Sequence, residues 1–193
     1  MSYKKDKNYF MDADKLTLTG KKHEDDWRNP TLKFGFMNYD PVIKVAFNKE
    51  EPITKGDWQH NLLNISLDVN TFHIFCYTAL DLLEEGEPKS AFTTQVVGTK
   101  KVQGVYVQGE NETKGIITFG LGNTGVVFIM IEDIIGRKIR FTFKKPVRAG
   151  FSSKGEPLPL AKISNAYARG TLKHWLRLFD HMHLLYMQIK NER

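Results

Sequence analysis

Gly136-Arg-Lys-Ile-Arg-Phe-Thr-Phe-Lys-Lys-Pro146 alternates along its length. In an extended chain successive side chains project to opposite faces. Ile139, Phe141 and Phe143 therefore share one side, and Lys138, Arg140, Thr142 and Lys144 the other. The pattern predicts a strand, apolar towards a core and cationic towards solvent. The positive run continues through Arg137, Lys145, Arg148 and Lys154, and no Asp or Glu lies between Asp133 and Glu156. An ordinary solvated face reads the same way for one strand, but a basic stripe without local neutralisation also suits a polyanion.

Upstream, Thr31–Met37 and Val42–Asn48 form the clearest hairpin. Leu32, Phe34 and Phe36 share a face of its first arm, and Ile43, Val45 and Phe47 a face of the second. Asn38-Tyr39-Asp40-Pro41 supplies the turn, while Lys33 and Lys44 point away from the apolar faces. Leu16–Thr19 and Asn61–Leu67 are shorter strand candidates. Asp68 or Asn70 can cap a helix over 70–85, with Phe72, Phe75, Cys76, Ala79, Leu82 and Leu83 on one stripe and Gly86 and Pro88 ending it. Cys76 in that stripe reads as a small buried hydrophobe. Further strands are predicted at 91–97, 102–108, 115–120, 126–131 and 138–145, with turns at Gly109–Lys114 and Gly120–Gly125. Val126–Ile131, continuously apolar, suits a strand buried on both faces. Residues 146–160 read as a non-helical connector, and Ser164 opens a helix over 165–190. The stripe of that helix includes Ala168, Leu172, Trp175, Leu176, Phe179 and Met182.

The chain's 193 residues fit one domain, residues 15–193, preceded by a polar arm over 1–14 that reads as a frayed terminus. A net charge of +6 and a pI of about 9.3 favour an acidic partner. A single cysteine excludes an internal disulfide. No apolar run reaches the ~18 residues of a membrane span, and no secretory signal is read at the N-terminus. The expectation is a protein of the cytoplasm (the host-cell cytoplasm if viral), without membrane contact.

Catalysis finds little support. Glu24, Asp25 and Asp26 are contiguous, so they do not share a strand face. His181 and His183 are two apart, against the three or four of helical metal pairs. The glycines of Gly120-Leu-Gly-Asn-Thr-Gly125 mimic a dinucleotide fingerprint but lead into a strand rather than a helix. Catalytic residues, metal ligands and cofactors are accordingly none.

Binding finds more. Single-strand recognition needs cations along the phosphates and exposed rings to receive bases, each stack being worth ~1–3 kcal/mol. The chain has 13 Phe, 7 Tyr and 3 Trp, more than a core of this size demands. Trp27, Tyr39, Trp58, Tyr106 and Phe151 fall in loops or on polar strand sides. Basic residues accompany several of them: Arg28 beside Trp27, Lys55 near Trp58, Lys100 and Lys101 before Tyr106, Arg148 and Lys154 around Phe151.

The order of elements resembles the Whirly fold and the smaller transcriptional-coactivator single-stranded-DNA-binding fold, as in phage and viral single-strand binders. Lys33-Phe-Gly-Phe36, a turn containing Pro41 and Ile43-Lys-Val-Ala-Phe47 are similar in character. The likeness covers residues 16–190 as topology. The lysine–glycine–lysine signature of plant Whirly proteins is absent from the corresponding place, and no family site residue is carried over. The resemblance implies an antiparallel scaffold that binds single strands across its sheets and oligomerises through helices.

The expected class is α+β: two groups of antiparallel strands, each followed by a helix (ββββ-α-ββββ-α), Whirly-like, with an OB-like barrel as the alternative. The expected function is largely sequence-independent single-stranded DNA binding in replication, recombination or repair, in a phage or viral setting, by a homo-oligomer. RNA binding on the same scaffold and a non-enzymatic structural or assembly role are the alternatives. A nuclease with scattered carboxylates is a further rival. The candidate nucleic-acid-binding residues are Lys33, Lys44, Lys100, Lys101, Tyr106, Arg137, Lys138, Arg140, Lys144, Lys145 and Arg148, with Trp27, Tyr39 and Trp58.

Overall fold

Alternation of apolar residues in the first third of the chain builds one sheet, and the same device after the first helix builds another. The computed structural model describes residues 9–10, 17–20, 30–37, 40–46, 62–102, 105–144 and 150–191. The first sheet contains β1 (Tyr9–Phe10), β2 (Thr17–Thr19), β3 (Thr31–Met37), β4 (Asp40–Ala46) and β5 (Leu62–Ser66). β1 and β2 lie in line along the same side of β3, so the sheet is four strands wide. The second sheet runs in chain order through β6 (Ala91–Val102), β7 (Val105–Leu121), β8 (Val127–Glu132) and β9 (Lys138–Thr142). A small hairpin, β10 (Ser152–Ser153) and β11 (Glu156–Pro157), occupies part of the expected connector. Helix α1 (Val69–Glu85) follows the first sheet and α2 (Leu160–Asn191) the second. The arrangement is the ββββ-α-ββββ-α layout, and both sheets are open, so the barrel alternative is set aside. No described helix is long and apolar enough to cross a membrane.

Both helices lie on the inner faces. Phe34 of β3 meets Trp175, Phe36 meets Phe179, and Phe72 of α1 meets both Trp175 and Phe179, with the Phe34 and Trp175 rings 4.8 Å apart. Phe75 of α1 meets Phe92 and Phe119 of the second sheet, and Phe119 meets Phe143. Seven phenylalanines and Trp175 are fully buried, so the core takes up much of the aromatic content that had read as surplus. Cys76 is buried among them, and desolvation pushes its thiol far up, leaving it without nucleophilic character.

Polar ties fix α2 to each sheet. Trp175 Nε1 donates to the Gly35 carbonyl at 3.3 Å. Ser164 does not open the helix: it lies one turn inside, buried, and its Oγ accepts from the Val127 amide at 2.9 Å. The helix begins earlier because Pro159 cannot be interior but its carbonyl can accept the first helical bond, from Ile163 at 3.2 Å. Between sheets, Gly20 of the segment after β2 bridges Phe141 of β9. A Cβ there would stand 2.7 Å from Pro30 Cγ and 3.3 Å from the Phe141 ring, so the junction requires glycine.

Two strand expectations need correction. Gly109–Lys114 is not a turn, for β7 runs through it as part of a long hairpin with β6, with register shifts after Val96 and Thr99. Its polar composition reflects solvent on both sides. Cross-strand contacts hold it, including Lys100 Nζ to Glu110 at 2.7 Å and Gln95 Nε2 to Thr113 Oγ1. Val126–Ile131 is not buried on both faces: Val127, Ile129 and Ile131 are buried, while Phe128 and Met130 on the other face are half-open.

Trp175→Ala is expected to cost about 3–5 kcal/mol, as for large ring deletions in packed cores, read as a lowered urea midpoint; an unchanged midpoint refutes the central role of this ring. Asp68 caps α1, its Oδ1 accepting from the Thr71 amide at 3.0 Å. The Thr71 hydroxyl and amide hold its carboxyl below the ordinary carboxylate range. The cap's contribution is therefore complete above the unfolded carboxyl pKa of about 3.9 and is lost as pH falls through the lowered folded value. Asp68→Ala should cost about 1 kcal/mol at neutral pH. Asp68→Asn should cost less and remove this part of the acid dependence, both measured by thermal denaturation across pH.

Candidate nucleic-acid interface

The outward face of the second sheet is set by register. Thr93, Thr118, Met130 and Arg140 form one row across it, and Gly120, Phe128 and Thr142 the next. Lys138 and Arg140 are exposed on the same side of β9, and Lys144 is exposed just beyond its end, while Phe141 and Phe143 are buried, as the alternation requires. The Phe143 amide still donates to the Val127 carbonyl at 3.0 Å, which extends the pairing past Thr142.

Arg140 leans from its own row to the next. Its guanidinium carbon lies 3.8 Å from the centre of the Phe128 ring, a cation–π distance. A Cβ on Gly122 would come 3.0 Å from Nη2, so that glycine leaves the guanidinium its room. This stack stands in a cleft of about 610 Å³. Leu121, Val126 and Leu160 supply its apolar lining, Asn123, Thr124 and Thr142 its neutral polar lining, and Lys89, Arg140 and Lys144 its charge.

Lys89 comes from the turn after α1. Its amide donates to the Leu121 carbonyl at 3.1 Å, and its φ of 69° places a non-glycine residue in the left-handed region. The connection after α1 thus delivers a cation to the same cleft as β9. None of Lys89, Arg140 and Lys144 has a carboxylate partner among the described residues.

The other cations divide. The basic run lacks acids inside it, yet Glu132 and Asp133 just before it reach back. Lys138 pairs with Glu132 at 3.0 Å, and the two are direct cross-strand partners. Arg137 Nε meets the buried Asp133 carboxylate at 2.5 Å, and that carboxylate also accepts from the amides of Ile135 and Arg137. Arg137 is thereby part of the turn's construction. Lys100 is paired with Glu110 on the long hairpin. Lys33 and Lys44 are direct partners on the first sheet, away from the cleft. Lys101 and Tyr106 are register partners near the hairpin end, their side chains outside the described set. Lys145, Arg148, Trp27, Tyr39 and Trp58 lie outside the described residues.

Among the described residues the cleft contains two of the predicted cations, Arg140 and Lys144, and its lining does not include Phe151. Its ring, Phe128, was hidden inside an apolar run, and its third cation, Lys89, is distant in sequence. The glycines at 120 and 122, opposite and beside Phe128, are the trace of the cleft in the sequence. No group of three or more His, Cys, Asp and Glu side chains fit to hold a metal occurs among the described residues. Compared with protein-family models, with curated proteins and with solved structures, the chain matches none.

Proposed function

We propose that the protein binds single-stranded DNA with little sequence preference, using the cleft between β8, β9 and the turn after α1, in DNA replication, recombination or repair of a phage or viral system. The observation that carries the reading is the joining of three cations, without carboxylate partners among the described residues, to a half-open aromatic ring. Cations can follow phosphates while the stacked platform receives bases, which is the combination that sequence-tolerant single-strand binding uses. The layout's resemblance to Whirly-like binders supports the same reading. Association through helices belongs to it, since Ile74 and Tyr77 stand exposed on α1 at 67% and 55%.

With Lys89, Arg140 and Lys144 each meeting one phosphate, log K for an oligo(dT) should fall with log salt at a slope of about −2. Arg140→Glu with Lys144→Glu should abolish most of that slope and weaken binding at least tenfold, with an unchanged circular-dichroism melt. Lys138→Ala, already neutralised by Glu132, should change affinity less than twofold in the same anisotropy assay. Equal effects of the two variants, or salt-independent binding, would sink the assignment; an RNA oligomer of matched sequence in competition decides between the two nucleic acids. Ile74→Glu with Tyr77→Glu should lower the sedimenting mass to that of one chain, and a mass already that low in the parent protein removes the oligomer.

A further inference from the structure

We infer that the Arg140–Phe128 cleft is a site for one nucleotide unit, base and phosphate together, and that a free nucleoside monophosphate occupies it as well as a residue of a strand. The inference deepens the single-strand reading and rests on it for the ligand class. Its geometry goes further than a basic face would require.

A face that merely follows phosphates needs cations alone. Here the guanidinium carbon lies over a ring, 3.8 Å from its centre, so the cation and the ring together offer a surface against which a flat heterocycle stacks. Beside it, Asn123, Thr124 and Thr142 offer donors and acceptors, which a base edge can use and a plain phenyl group cannot. Lys89 and Lys144 add charge for a phosphate. A volume of about 610 Å³ lies within the ~300–1,000 Å³ of small-ligand sites.

Lys89 is the second observation. At φ 69° its backbone is in a conformation that glycine adopts freely and lysine rarely does. Its amide is tied to Leu121, itself part of the cleft wall. A strained lysine is therefore held at the cleft rather than a relaxed glycine. Lys89→Gly removes the charge and suits the backbone, which makes it a variant whose folding is not at risk from the substitution.

The test is an amide NMR titration of the full chain with dAMP at low ionic strength, with inorganic phosphate as the control, alongside oligo(dT) anisotropy. The expected result is dAMP binding about tenfold or more tighter than phosphate, the worth of one modest stack. Shifts should centre on Gly122–Thr124, Phe128 and Arg140, and dAMP should displace oligo(dT). Lys89→Gly should weaken dAMP severalfold, and Phe128→Leu should abolish its advantage over phosphate. If dAMP binds no tighter than phosphate while oligo(dT) binds, the nucleotide site is overturned and the single-strand reading stands. If dAMP binds as described and oligo(dT) does not, the site stands as one for free nucleotides and the single-strand reading falls. If neither binds, both are overturned.

Discussion

Phe72 and Phe75 occupy one stripe of α1, one turn apart, and they serve different sheets. Phe72 enters the ring cluster of Phe34, Trp175 and Phe179, whereas Phe75 enters that of Phe92 and Phe119. A single helical turn therefore joins the two halves of the chain through buried aromatic contact. Trp175 completes the arrangement by bonding to β3 through its indole nitrogen, while Ser164, on the same helix, bonds to β8. With both helices spent on the inner faces, the outward faces of the sheets are left for other work.

What was legible in the sequence was whatever a period could declare. The hairpin of β3 and β4 and the helix over 69–85 follow from spacing two and spacing three to four, and each falls within two residues of expectation. Where polar composition replaced a period, the reading failed. The β6–β7 hairpin passes through Gly109–Lys114 because cross-strand ion pairs and hydrogen bonds hold a strand that has no core to face. The start of α2 was obscured because Ser164 looks like a cap and instead satisfies a strand amide.

The candidate site was legible only along β9. Alternation placed Lys138, Arg140 and Lys144 on one exposed side, but a one-dimensional count of charge does not say which cations are already answered. Register does: Glu132 stands directly opposite Lys138, and Asp133 closes the turn on Arg137. Lys89 and Phe128 could not be found by local pattern, since they reach the cleft through the turn after α1 and the outer side of a central strand. Their meeting with Arg140 is a property of topology.

β9 is also the border of its sheet. On that side, among the described residues, β2 approaches it and Gly20 makes an isolated bridge to Phe141. Unsatisfied amides and carbonyls along such a border invite another molecule to zip on, and like charge beside them acts as insulation. Arg140 and Lys144 thus bring to this border the kind of charge that discourages edge-to-edge pairing of strands. Trimming them to alanine strips that insulation and confounds poor solubility with poor affinity, whereas reversing their sign preserves the mutual repulsion.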